Sequence, residues 1–388
     1  MSSTFISDSV RYIGVSDRTL DLFESQYVIP EGMAYNSYVV FDEKIAVMDT
    51  ADVRVSEQWF ANLEAALDGR TPDYLVVHHM EPDHAANIMR LVEKYPAIRV
   101  VGSAKAFQFV KQFFGSSLDD RAVVVKEGDK LSLGSRELTF LMAPMIHWPE
   151  VMFSYDDKDH ILFSADAFGK FGALDADEDW ACEARRYYFN IVGKYGAQVQ
   201  AVLKKTANLD IRTICPLHGP ILTEDLGYYL SLYDTWSKYE PENRGIFIAY
   251  ASIHGNTRAA VEKLADMLRA KGAEKVSVAD LARDDQAECV EDAFRYDRLV
   301  VAAPSYDAGL FPPAEEFLTH LKAKAYQKRT VGIIENGSWA PSAGKCITAA
   351  FEGMKNITIL EPLVSIRSAL NDESAAALEA LADALIRS

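Results

Sequence analysis

The chain has 388 residues, 49% of them hydrophobic and 11% aromatic, which suits a soluble globular protein with two or three domains. With 57 acidic against 40 basic residues the net charge is −17, which excludes a general nucleic-acid binder and suits a partner with a basic docking patch. No apolar run is long enough to span a bilayer, and Met1 to Val15 lacks the basic start and apolar stretch of a signal peptide.

The four cysteines, Cys182, Cys215, Cys289 and Cys346, lie far apart, and no Cys-x-x-Cys pair occurs. Neither a rubredoxin-type iron site nor a zinc ribbon is encoded in this sequence, and a reduced, cytoplasmic setting is the simple reading.

Residues 1 to about 240 are rich in short strands. Tyr38 to Phe41 and Lys44 to Asp49 flank Asp42-Glu43 and predict a hairpin. Ser56 to Leu67 reads as an amphipathic helix capped by Ser56. Tyr74-Leu75-Val76-Val77 reads as a buried strand and Ala85 to Val92 as a helix. Further strands are predicted at 99–102, 123–125, 130–133, 138–142, 151–155, 160–163 and 211–215, with a helix over 104–114. The acidic run Asp175 to Asp179 reads as a solvated face. A closing helix over 221–240 leads to a linker at Tyr239 to Gly245.

From Ile246 the pattern changes to regular β-α alternation. Strands are predicted at 246–250, 276–278, 298–302, 330–334 and 358–360, and helices at 258–271, 285–294, 313–324, 343–354 and 372–386. This alternation predicts a doubly wound, five-stranded parallel sheet. The domains are therefore expected at 1–240 and 246–388.

The first domain is organised around His78-His79-Met80-Glu81-Pro82-Asp83-His84. Four candidate metal ligands, His79, Glu81, Asp83 and His84, stand between a predicted strand and a predicted helix. In an extended loop residues i and i+2 point the same way, so His79 and Glu81 reach one metal while Asp83 and His84 reach another. Three more candidates, His147, Asp166 and His218, each follow another strand. A lone histidine after a strand is usually structural; three such strand ends beside so dense a loop are not. Seven nitrogen and oxygen ligands suit two divalent cations, and the absence of thiolates is compatible with iron, manganese or zinc.

His-x-Glu-x-Asp-His followed by a separate His, Asp and His resembles the metallo-β-lactamase-like domain of flavodiiron proteins. Hydrolases of that fold usually carry His at the position of Glu81 and bind zinc. The resemblance implies an αβ/βα sandwich in which His79, Glu81 and His147 hold one iron. Asp83, His84 and His218 then hold the other, with Asp166 bridging.

In the second domain, Ser252-Ile253-His254-Gly255-Asn256-Thr257 follows a strand and opens a helix, an arrangement that forms an anion site. It lacks the lysine of a Walker A motif, and taken alone it reads equally well as an N-cap and turn. The loop resembles the FMN phosphate loop of flavodoxins, Ser/Thr-x-x-Gly-Asn-Thr. Two further loops leave the same sheet edge: Pro304-Ser305-Tyr306-Asp307-Ala308-Gly309 and, after Glu335, Asn336-Gly337-Ser338-Trp339-Ala340. Tyr306 and Trp339 are candidates to contact a flat isoalloxazine. The third loop departs from the glycine-rich versions of the family.

The resemblance covers nearly the whole chain, in the family's domain order. It implies a reductase of dioxygen to water, of nitric oxide to nitrous oxide, or both, with electrons passing from FMN to two non-haem irons. It further implies a separate donor such as rubredoxin or a reduced deazaflavin, and a head-to-tail homodimer or dimer of dimers. The rival reading is a zinc metallo-hydrolase with an accessory flavodoxin-like domain. A non-catalytic electron carrier leaves the seven ligands unexplained.

Overall fold

The computed structural model describes residues 5–388, so the first four residues of the segment read for a signal peptide lie outside it. The chain divides into a unit spanning 1–234 and a unit spanning 235–388. The division falls within the helix Leu226–Ser237, and the first strand of the second unit begins at Asn243.

In the first unit one six-stranded sheet runs Val10–Tyr12 (β1), Tyr38–Val40 (β2), Ala46–Met48 (β3), Tyr74–Val76 (β4), Arg99–Ser103 (β5) and Ala122–Val125 (β6), in that spatial order. The second sheet is Lys130–Ser132 (β7), Glu137–Met142 (β8), Met152–Asp156 (β9), Ile161–Phe163 (β10) and Thr213–Cys215 (β11). Both begin antiparallel and end parallel. Strand alternation turns Tyr38, Val40, Met48 and Val76 of the first sheet onto Phe140, Met152, Phe163 and Cys215 of the second, and these side chains form one buried core. The opposite faces of β2, β3 and β4 are also buried, and helix α1 (Ser56–Leu67) buries Trp59, Leu63 and Ala66.

Two details differ from the sequence reading. Ser56 does not cap α1; its hydroxyl bonds the Val53 carbonyl, and Asp52 caps a preceding 3-10 turn over 53–55. The predicted helix over 85–92 is two elements, a single turn Pro82–Ala85 (α2) and Ile88–Lys94 (α3). Pro82 occupies the first helical position, where its fixed φ and missing N–H cost nothing, so the turn begins earlier than the apolar pattern suggests.

The second unit is a parallel sheet in the spatial order Val276–Asp280, Asn243–Tyr250, Tyr296–Tyr306, Arg329–Asn336 and then the edge. The edge is two short strands, Ile357–Ile359 and Val364–Ile366, which pair with opposite ends of Arg329–Asn336. The sequence reading found only the first of them, because Glu361-Pro362 interrupts the apolar run. Helices Asn256–Ala270 and Asp372–Arg387 cover one face through Val261, Leu264, Leu378 and Leu381, which meet Ile246, Ile248 and Val300. Gln286–Arg295, Pro312–Ala323 and Ala343–Phe351 are the remaining helices. This strand order puts a topological switch beside Asn243–Tyr250, and the crevice at its carboxyl end is where such sheets bind ligands.

Candidate metal centre and flavin cleft

The metal-ligand candidates converge at the carboxyl ends of the strands of the first unit. His79, Glu81, His147 and Asp166 bring one ligand atom each into a first group; Asp83, His84 and His218 form a second. The division of the loop is the expected one, but its cause is partly different. His79 and Glu81 precede α2, Glu81 in extended backbone, whereas Asp83 and His84 project from the helical turn itself.

Within the first group His147 Nε2 lies 2.9 Å from Glu81 Oε2 and 3.2 Å from Asp166 Oδ2, and His79 Nε2 lies 3.2 and 3.5 Å from the same two oxygens. In the second, His84 Nε2 and His218 Nε2 are 3.0 Å apart and each is 3.3 Å from Asp83 Oδ2. Asp166 faces both groups, with Oδ1 3.4 Å from His84 Nε2. Both oxygens of Asp83 and of Asp166 are buried without a hydrogen-bond partner, although nitrogen atoms stand this close. Unaligned lone pairs about 3 Å apart are what a cation bonded at about 2.1 Å leaves between its neighbouring ligands. The donor set therefore fits two metal ions sharing Asp166.

The electrostatics agree. Burial opposes charge on His79 and His147, yet Asp166 and Glu81 outweigh it, holding His79 well above the ordinary imidazole range and His147 at about 9. Burial and the neighbouring carboxylates Glu81 and Asp166 push Asp83 up to about 8, against the attraction of His84. Asp166 is held well below the carboxylate range because His79, His147 and His84 overcome its desolvation. Burial instead lowers His218. The first group, which retains protons on His79 and His147, carries surplus negative charge that cations neutralise when they displace those protons.

Several supporting residues escaped the sequence reading. Asp49, at the end of β3, accepts from the backbone N–H of His78 at 2.7 Å and pairs with His78 Nδ1 at 2.5 Å, anchoring the loop. Thr50 bonds the His84 carbonyl through its hydroxyl at 2.6 Å. Glu150 accepts from His79 Nδ1 at 2.8 Å. His218 Nδ1 donates to the Ala34 carbonyl at 2.8 Å, which turns Nε2 to the pocket. Phe23, Tyr35 and Tyr187 surround the His218 ring, with centroids 5.4, 6.0 and 5.6 Å away. The Tyr187 hydroxyl is buried without a hydrogen-bond partner, and burial, then the charges of Asp166, Glu81 and Asp83, keep it protonated. Glu24 is exposed as a residue, yet desolvation of its carboxyl and then the charge of Glu81 push that group up.

In the second unit the three predicted loops line one open cleft of about 780 Å³. Ser252, Ile253, His254, Asn256 and Thr257 come from the first loop, Pro304, Ser305, Tyr306, Asp307 and Ala308 from the second, and Asn336, Gly337, Ser338 and Trp339 from the third. Gly255 instead caps the helix at φ +87°, and Gly309 closes the Tyr306 hairpin, whose turn residues Asp307 and Ala308 have positive φ. The Ser252 hydroxyl accepts from Gly255 N at 3.1 Å and Arg258 N at 3.3 Å, folding the loop onto the helix N-terminus. A Cβ at Gly337 would stand 2.8 Å from Pro341, so this turn requires glycine. Trp339 is 89% and Tyr306 45% exposed, leaving two aromatic faces on the rim for a flat ring. Pro341, Ser342 and Ser368 also line the cleft. Ser368 follows the edge strand that the sequence reading missed.

Comparison with known proteins agrees with both halves. Residues 33–219 match a family described as ODP family beta lactamase, and 247–351 match a flavodoxin domain. A nitric oxide reductase from Moorella thermoacetica is 30% identical over 368 residues, covering 92% of this chain and 91% of that one. The rubredoxin oxygen:oxidoreductase of Desulfovibrio gigas superposes with a TM-score of 0.92 at 25% identity, over 100% of this chain and 98% of that one. The flavodiiron protein from Giardia intestinalis has the same fold, with a TM-score of 0.90 at 23% identity over 100% and 97% of the two chains. The paired ligand groups, the flavodoxin-type cleft and a relative that matches along nearly its whole length place this chain in the flavodiiron protein family.

Proposed function

We propose that the chain reduces dioxygen to water, nitric oxide to nitrous oxide, or both, with electrons passing from FMN to a pair of non-haem irons. The observation that carries this reading is the two-faced Asp166, which turns one oxygen to each of two adjoining ligand groups. His79, Glu81 and His147 would hold one iron and Asp83, His84 and His218 the other, with Asp166 available to both. The Ser252–Thr257 loop would seat the FMN phosphate, and Tyr306 and Trp339 would flank the ring.

Bound together, two irons and a fully reduced flavin supply the four electrons that reduction of dioxygen to water consumes. The protein's own residues do the rest. Glu150 and the Ala34 carbonyl fix the tautomers of His79 and His218 so that Nε2 of each faces inward. Phe23, Tyr35 and Tyr187 exclude water around His218. Tyr187 holds a proton at its hydroxyl beside the buried carboxylates.

The relative named nitric oxide reductase favours this reading over a zinc hydrolase. A separate donor, rubredoxin or a reduced deazaflavin, is supported by the rubredoxin in the name of the Desulfovibrio relative. Cys215, Cys289 and Cys346 are free, which supports a cytoplasmic setting; among the described residues no helix is long and apolar enough to cross a membrane. The deciding experiment is anaerobic stopped-flow oxidation of the reduced protein by each gas. Flavin reoxidation by neither, with zinc in place of iron, sinks the proposal.

A further inference from the structure

We infer that Glu150 makes the two metal positions unequal, so that the ion on His79, Glu81 and His147 is held more tightly than the ion on Asp83, His84 and His218. This rests on the diiron reading above. The inward-facing histidines differ in what stands behind them. His79 Nδ1 has a carboxylate, Glu150 Oε1, at 2.8 Å; His218 Nδ1 has a neutral carbonyl; His84 Nδ1 is buried with no partner. A carboxylate behind an imidazole fixes its ring and makes Nε2 a better donor, a carbonyl mainly orients it, and a ring with no partner at Nδ1 gains neither effect.

Glu150 is also an unusual group to bury. Its side chain is fully enclosed, and only one of its oxygens is satisfied, by His79 Nδ1 and by Met80 N at 2.9 Å; the other has no partner. Among the described residues no lysine or arginine pairs with it. A buried carboxylate so placed is costly unless positive charge lies near. Before metal binds, the protonated His79 supplies that charge; a cation across the ring takes over the role when it displaces the Nε2 proton. With Glu81 and Asp166, the first position then has three carboxylates acting on it; the second has Asp83 and Asp166.

Glu150 is thus a positioning residue, separable from the fold because glutamine has the same shape and keeps an oxygen for His79 and Met80. The test loads apoprotein anaerobically with ferrous iron and challenges it with a graded chelator, reading iron per chain. Wild-type protein should lose its irons in two phases, and His218→Ala should retain the tighter one. Glu150→Gln should weaken that one roughly 10- to 100-fold, merging the phases, while the melting temperature of the apoprotein stays unchanged. Glu150→Asp should restore part of the separation. A single phase in wild type, or two unchanged phases in Glu150→Gln, overturns the inference while leaving the diiron reading intact. Wild-type protein that takes up no iron defeats the diiron reading itself. If Glu150→Gln does not fold, two unshifted phases in Glu150→Asp and a tight iron lost from His218→Ala each overturn the inference.

Discussion

Asp166 and His147 meet with Oδ2 3.2 Å from Nε2, on the side of the carboxylate turned away from His84. Its other oxygen faces the second ligand group, 3.4 Å from His84 Nε2, which is the basis for proposing Asp166 as a bridge. Asp166→Ala should therefore lose both metals and not one: iron per chain should fall from near two to near zero, and gas reduction with it. Metal analysis checks this, and full occupancy with retained activity in the variant contradicts the bridge.

The flavin cleft makes a separate prediction. The loop offers backbone N–H groups at a helix N-terminus to a terminal monophosphate, so the protein should carry noncovalent FMN and not FAD. Thr257, at 2% exposed, is buried in the first turn of that helix, and Asn256 begins it. Asn256→Ala with Thr257→Ala should reduce FMN occupancy from near one to below about one-tenth, since each lost hydrogen bond to a charged group costs about 1.5–3 kcal/mol. Extraction and chromatography of the released flavin decide it; FAD, or undiminished binding, refutes it.

How far the sequence alone leads is clear from particular residues. His79, Glu81, Asp83 and His84 are legible because the ligands crowd one short stretch, and His147, Asp166 and His218 because each follows an apolar strand. Glu150 and Asp49 are not legible. They act on His79 and His78 across 71 and 29 positions, and a single carboxylate in a strand-end loop carries no local signal. The helical turn at Pro82 was hidden because four residues are too few to show a period. In the second unit the alternation announces the sheet, but Pro362 splits its edge, and Ser368 is lost with the second half.

The thiols should react unequally. Cys215 and Cys289 are buried, and burial pushes both thiols well above their ordinary range, so little thiolate exists at pH 8. Cys346 is half-buried and borders a surface groove. Native alkylation followed by mass spectrometry should label Cys346 at least about tenfold faster than Cys215 or Cys289, because the two buried thiols are closed to the reagent and form little thiolate. Equal rates in folded protein would count against the packing described here.

Acid should unfold the first unit in part through Asp159. Desolvation opposes its charge, but hydrogen bonds from Ser7, Ser9 and Arg136 hold its pKa below the unfolded value of about 3.9. A depressed carboxylate stabilises the fold above the unfolded pKa and loses that contribution as pH falls through the folded one. The melting temperature should thus be insensitive to this group above about pH 5 and decline below about pH 4. Asp159→Asn should melt lower at pH 7 and show a shallower acid limb; parallel pH profiles for the two proteins would exclude the contribution.

The last prediction concerns assembly. The flavin cleft and the ligand groups lie on separate units of the chain. Electron transfer requires flavin and iron to approach closely, and a head-to-tail dimer achieves this by setting the FMN of one copy against the irons of the other. A closed two-fold arrangement makes each such contact twice. Two inactive variants test it: Asp166→Ala, which keeps its flavin, and Asn256→Ala with Thr257→Ala, which keeps its irons. In a mixed dimer one of the two composite sites pairs an intact flavin with intact irons. Mixing under conditions of proven subunit exchange should restore about a quarter of the wild-type rate per chain, since random exchange puts half of the dimers in mixed form and each has one of two sites working. A mixture that stays inactive after exchange, or a dilute monomer with full activity, excludes the route between chains.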